Sequence, residues 1–173
     1  MPGIHRDPGR DIQRALLYLG SGFPGKFGDR MDKAVIQYYR WLLKTDFGNA
    51  GSFENASIFV EAVGEKMIHC GNTGNYMQLY LNVVDNKIND IKYLCSCEPT
   101  ANVAVEVLCN LMKGKSLDEA AALSEQAFYQ CIGCEGEELR LKVRGLLEMV
   151  NKGIAGYKVQ MPDSKKITDS PQW

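Results

Sequence analysis

The stretch YMQLYLNVVDNKINDIKYLC, residues 76–95, decides the fold. From Tyr76 to Val84 apolar and polar side chains alternate, which puts Met77, Leu79, Leu81 and Val83 on one face of a strand. Asp85-Asn86-Lys87 has turn chemistry, and Ile88 to Cys95 returns as a second strand, so the stretch predicts a β-hairpin. Ile91, Tyr93, Cys95 and Cys97 share a phase on the returning strand. Outward from the hairpin, Ser57 to Val63 predicts a further strand on the N-terminal side. On the other side Pro99 opens a helix through Met112 with Ala101, Ala104, Val105, Leu108 and Met112 inward. Ser116-Leu117-Asp118-Glu119 fits a capping box for a short helix. In the last helix Leu139, Val143, Leu146, Leu147 and Val150 recur at i, i+4, i+7, i+8 and i+11.

Earlier in the chain, Val35, Ile36, Tyr39, Leu42 and Leu43 form a stripe that predicts a helix over Met31–Lys44. Asp11 to Leu19 reads as a short helix, and Gly20–Gly28, with four glycines and a proline, reads as a linker. After Gly153 the chain turns polar and is expected to fray. The expected architecture is α+β: a small antiparallel sheet of about three strands with helices packed on one face. The expected organisation is an N-terminal extension over 1–30, one domain over 31–153 and a polar tail over 154–173.

Composition narrows the function. A chain of 173 residues with 45% hydrophobic and 24% charged content is one ordinary globular domain. Net charge of −1 offers no electrostatic case for nucleic acid, and no apolar run is long enough for a membrane span. The opening Met-Pro-Gly-Ile-His-Arg-Asp lacks the apolar region of a signal peptide, so a cytoplasmic location with reduced thiols is expected.

All six cysteines, Cys70, Cys95, Cys97, Cys109, Cys131 and Cys134, lie between Met67 and Glu135. Cys95-Ser96-Cys97 and Cys131-Ile132-Gly133-Cys134 have the close spacing of thiolate ligands for zinc or iron–sulfur chemistry. Cys109 lies mid-helix among apolar residues and reads as a small core side chain. Cys70, in a Gly/Asn loop before the first hairpin strand, is brought toward Cys95 and Cys97 at the end of the second. Cys131 and Cys134 precede the final helix, whose N-terminal dipole favours thiolates while Glu135, Glu137 and Glu138 oppose them. Three loops are thus expected to converge at one end of the sheet. His69 is a further candidate ligand or base beside Cys70.

The order of these features resembles the NifU/IscU-type iron–sulfur cluster assembly scaffolds. Val35-Ile36-Gln37-Tyr38-Tyr39 and Gly51-Ser52-Phe53-Glu54-Asn55 look like that family's N-terminal helix and the turn after it. Cys70-Gly71-Asn72 is similar to its Cys-Gly-Asp loop, and Lys113-Gly114-Lys115-Ser116-Leu117-Asp118-Glu119-Ala120 reads as the family does. Cys131 stands ahead of the last helix as the third family cysteine does. The resemblance covers about Met31 to Asn151.

By that resemblance Cys70, Cys97 and Cys131 would hold a nascent [2Fe–2S] cluster, iron or zinc, and Cys131 would accept persulfide sulfur from a cysteine desulfurase. Recipient apo iron–sulfur proteins would take the cluster, and the protein would be a carrier, not an enzyme. The chain departs from the family at four points. Asn72 replaces the aspartate, and Glu98 stands where the middle cysteine is expected, with Cys97 one residue early and Cys95 as its rival. Gln130 replaces the histidine before the third cysteine. The Leu-Pro-Pro-Val-Lys stretch is absent, so the chaperone that reads it is not an expected partner. Cys134, three residues after Cys131, is the candidate to complete the metal site in place of the aspartate. Two other readings compete: a zinc-bound sulfurtransferase that relays persulfide, and a non-catalytic zinc module for protein interaction. The oligomeric state is left open.

Overall fold

The computed structural model describes residues 33–63, 75–96 and 98–161. Its elements are α1 (Lys33–Thr45), β1 (Ile58–Val63), β2 (Tyr76–Val84), β3 (Lys87–Cys95), α2 (Pro99–Met112), α3 (Leu117–Ala121), α4 (Glu125–Ile132) and α5 (Glu137–Gln160). The strands form one antiparallel sheet in the order β1-β2-β3, the α+β arrangement expected from the alternation. Among the described residues no helix is long and apolar enough to cross a membrane.

Asp85 and Asn86 close the hairpin with φ of 51° and 62°, the left-handed backbone that suits the twist of the flanking strands. The ladder pairs Met77 with Cys95, Leu79 with Tyr93 and Leu81 with Ile91, then shifts register at Asn82/Val83. That irregularity explains one departure from the alternation. Val83 falls opposite Ile88 and is only half-buried, although it shares the sequence phase of the fully buried Met77, Leu79 and Leu81.

Helix α2 lies at the centre. Ala101, Val103, Ala104, Val105, Val107, Leu108, Cys109 and Met112 are all buried, which is the mark of a helix covered on more than one side. The inward residues of α1 are Val35, Tyr38 and Leu42; Leu43, expected inward, is exposed, because the helix turns it away from α2. The Lys113–Ala120 octapeptide ties the far end of the hairpin to this core. Gly114 N–H donates to Ile88 O at 2.8 Å, and Ile88 N–H donates to Lys115 O at 2.8 Å. The expected capping box is present: Glu119 N–H donates to Ser116 Oγ, and Ser116 N–H donates to Glu119 Oε2, both at 3.1 Å.

The final helix does not stop near Gly153 but continues to Gln160, with Ile154 buried. Gly153 is there for close packing. A Cβ on it would lie 2.6 Å from Val60 Cγ1 and 2.9 Å from Ile58 Cγ2, both on branched side chains of β1. Gly153→Ala should therefore push α5 off the sheet and destabilise the protein by about 1–3 kcal/mol. Gly156→Ala, one turn on with nothing within 4 Å, should stabilise it by about 0.5–1 kcal/mol. Urea unfolding of the two variants checks the sign of each.

A buried polar knot fixes the loop after α1. Asp46 and Phe47 take positive φ, and the chain then runs beside the outer edge of β3, with Tyr93 N–H donating to Asn49 O at 3.1 Å and Gly51 N–H donating to Tyr93 O at 2.9 Å. Beneath it, Glu106 of α2 is 1% exposed. Its carboxylate accepts from Asn49 Nδ2 at 2.6 Å, Asn49 N–H at 3.3 Å and Tyr93 OH at 3.0 Å. Lys113 Nζ donates to Asn49 Oδ1 and lies 3.5 Å from Asp90.

Candidate metal centre

The hairpin brings two of the expected loops to one point. Beyond the Met77–Cys95 pair, Ser96 N–H donates to Tyr76 O and Tyr76 N–H donates to Ser96 Oγ, each at 3.1 Å. These bonds hold Tyr76 and Ser96 side by side at the open end of the hairpin. Cys70, His69, Asn72 and Cys97 themselves lie outside the described residues.

Cys95 ends β3 half-buried, and its thiol donates to Asn102 Oδ1 on α2 at 3.1 Å. Asn102 Nδ2 in turn donates to Glu98 O at 3.4 Å. Glu98 takes the N-cap position of α2 in extended conformation, ahead of Pro99 at the first helical position, where a missing N–H costs nothing. Its side chain does not cap the helix. It reaches α5 instead: Lys142 Nζ lies 2.8 Å from Glu98 Oε1, and Lys142 is 3% exposed. One turn earlier on α5, burial pushes the Glu138 carboxyl up, Glu98 adds to the rise, and Lys142 opposes it. The ion pair thus joins the start of α2 to the early turns of α5, the helix that follows Cys131 and Cys134.

The surroundings of Cys131 differ from the sequence expectation. Cys131 precedes the final helix as expected, but it stands in the last turn of α4, an eight-residue helix not anticipated from the sequence, five residues before the N-cap of α5 at Gly136. Gly133 ends that helix in the left-handed region at φ 87°, with its N–H donating to Tyr129 O at 2.7 Å. Cys134 follows, and α5 begins only after Gly136. Both thiols are half-buried and pack against the core. Burial pushes the Cys131 thiol up from its ordinary value. The expected lowering by a helix N-terminus is therefore corrected to a rise.

Cys109 is fully buried, and burial together with Glu106 pushes its thiol well up. Both effects favour the neutral thiol, so less thiolate is present at any pH than in a free cysteine. Alkylation of the native, metal-free protein between about pH 7 and 9 should leave Cys109 unmodified while Cys131 reacts more slowly than free cysteine. Peptide mass mapping reads both, and native-state labelling of Cys109 would contradict its core placement.

Among the described residues no three Cys, His, Asp or Glu side chains converge as a metal-holding group. What the fold does join is the β3–α2 junction, the segment ends flanking the hairpin, and α5. The profile of the NifU-like N-terminal domain matches residues 43–163, well over half the chain. The chain belongs to that family. Its relatives by structure agree in fold. A protein from the thermophile Fervidobacterium islandicum AW-1, described as an iron–sulfur cluster assembly scaffold for the SUF system, is similar with a TM-score of 0.53 at 16% identity, over 72% of this chain and 96% of that one. The N-terminal part of a nitrogen-fixing NifU-like protein from Brucella abortus is similar with a TM-score of 0.55 at 12% identity, over 75% of this chain and 95% of that one. No curated protein matches. At such identities these likenesses carry the fold alone. The family membership carries the broader statement: this is a NifU-like domain, of the class of iron–sulfur cluster assembly scaffolds.

Proposed function

We propose that the protein is a carrier on which a [2Fe–2S] cluster is assembled as cargo and then handed to recipient apo iron–sulfur proteins. Cys70, Cys97 and Cys131 hold the cluster and Cys134 supplies a fourth thiolate. Sulfur arrives as persulfide from a cysteine desulfurase: the Cys131 thiolate takes the outer sulfur while the desulfurase cysteine leaves as thiolate. Ferrous iron together with an external thiol or electron-carrier reductant supplies the electrons that bring that sulfur to sulfide. Family membership supports the scaffold role. What supports the reading of the site is that the described flanks lie together: Tyr76 and Ser96 are paired at the open end of the hairpin, and the Glu98–Lys142 pair binds the start of α2 to α5. Thiolates suit iron and sulfide, and partial burial keeps the cargo within reach of a recipient.

The Cys95 thiol, already donating to Asn102, favours Cys97 as the middle ligand. Incubating the metal-free protein with a cysteine desulfurase and cysteine should add sulfur to Cys131, read by mass mapping. Sulfur confined to Cys70 or Cys97 would contradict the acceptor role. Serine at Cys97 should then abolish iron–sulfur absorbance, whereas serine at Cys95 should leave most of it; equal losses would mean that both ligate.

A further inference from the structure

The sheet shares one core with the helices, and the face turned toward that core carries Ala62, Leu79 and Ile91. Alternation sends the remaining side chains outward: Phe59, Glu61 and Val63 from β1, Gln78 and Tyr80 from β2, and Lys92 from β3. Phe59 and Val63 are 50% and 57% exposed, large apolar side chains that one copy of the chain leaves in water. The register orders the patch. Phe59, Tyr80 and Lys92 stand opposite one another in one row across the three strands, with Glu61 and Gln78 in the next. The Phe59 and Tyr80 rings meet at 5.1 Å between centres, and the two charges flank them from opposite edge strands.

Each charge is held in position. Gln78 Nε2 donates to Glu61 Oε1 and Tyr80 OH donates to Gln78 Oε1, both at 2.9 Å, while Lys92 Nζ lies 5.0 Å from the Phe53 ring centre. The ion pairs among the described residues include neither Glu61 nor Lys92. Two strand spacings and one row, roughly 12 Å of backbone, separate the two. A face with one charge of each sign at opposite corners of an apolar centre is complementary to itself. Turning a second copy by half a revolution about an axis in the sheet plane, perpendicular to the line from Glu61 to Lys92, sets each Glu61 over the partner's Lys92. The same turn brings each Phe59 over the partner's Tyr80, an isologous contact. A partner with a single sign of charge would satisfy one corner and oppose the other.

We infer that this outer sheet face is a self-association surface whose occupant is a second copy of this chain, joined by two Glu61–Lys92 contacts around an aromatic centre. The patch contains no cysteine, so the inference stands apart from the scaffold reading. Three strands give a contact at the small end of specific interfaces, and the dimer is accordingly weak, with a Kd of roughly 10–100 μM.

The test is sedimentation velocity of the reduced, metal-free full-length chain from about 1 to 500 μM, conditions that keep disulfides and bridging metal out of the measurement. The parent should pass from monomer to dimer across that range. Glu61→Lys and Lys92→Glu each place like charges at both contacts and should weaken dimerisation at least about tenfold. Mixed in equal amounts, the two variants should form a heterodimer about as tight as the parent dimer, because every contact then joins opposite charges again. The double variant Glu61→Lys/Lys92→Glu should dimerise by itself, and Phe59→Asp should abolish the dimer. Urea unfolding verifies that each variant is folded; if Phe59→Asp is not, the charge variants decide. A parent that stays monomeric at about 500 μM, single variants that dimerise as the parent does, or a mixture that forms no heterodimer would overturn the inference.

Discussion

Serine at Cys131 should abolish the iron–sulfur absorbance of the reconstituted protein and its uptake of persulfide sulfur together. A hydroxyl is a far poorer ligand for iron than a thiolate and cannot form the persulfide. In the proposed site Cys131 serves as both ligand and acceptor, so one substitution removes both functions. Serine at Cys70 or Cys97 should abolish the cluster while sparing persulfide formation at Cys131. Cys134→Ser should leave a cluster that forms but is lost faster, and adding Asn72→Asp to it should restore a transferable cluster by supplying the carboxylate that the resemblance to a Cys-Gly-Asp loop implies. Cys109→Ser, deep in α2, should leave cluster binding nearly intact. Visible absorbance and acid-labile sulfide measure each outcome. A Cys134→Ser protein that binds and transfers its cluster as the parent does would end the fourth-ligand proposal.

Glu106→Leu should cost the fold about 3–5 kcal/mol, because it strands buried groups that now share one carboxylate. Asn49 N–H, Asn49 Nδ2 and Tyr93 OH all donate to Glu106, and burial with Glu106 nearby holds the Tyr93 phenol well above its ordinary range, as a donor. Removing the acceptor frees the loop that covers the β3 edge and exposes that edge. Tyr93→Phe, which deletes one donor and its hydrogen bond together, should cost only about 1 kcal/mol. Urea unfolding separates the two; a Glu106→Leu loss under about 1 kcal/mol would mean that the knot adds little to stability.

The readable parts of the fold were those with a strong period. Alternation over Tyr76–Cys95 specified the hairpin, and the stripe from Leu139 to Val150 specified α5. The register shift was hidden because Val83 and Leu81 look alike in sequence; only the paired strand distinguishes them. Helix α4 was missed because its eight residues bury only Phe128, Tyr129 and Ile132, too few to establish a period. Fraying was expected after Gly153 because the chain turns polar there, whereas the close approach of α5 to β1 that Gly153 permits shows only in the packing.

Two charged residues carried a signal that was available. Glu106 interrupts a helix apolar on nearly every side, and Lys142 sits three residues after Leu139 and four before Leu146, on the inward stripe. A charge at such a position must be buried with a partner. The partners, Asn49 and Tyr93 for one and Glu98 for the other, come from distant segments that spacing alone does not connect. The cysteine clusters raised the expectation of a metal site from the sequence. The family match supports the scaffold class, while the identity of the ligands rests on the substitutions above.

The most direct measurement is the iron, zinc and acid-labile sulfide content of the protein isolated without oxygen. The scaffold account predicts iron and sulfide in equal amounts, about two of each per cluster-loaded chain, with the cluster passing to an apo acceptor on mixing. Stoichiometric zinc without sulfide, unchanged after incubation with a cysteine desulfurase, cysteine, ferrous iron and a thiol reductant, would contradict it.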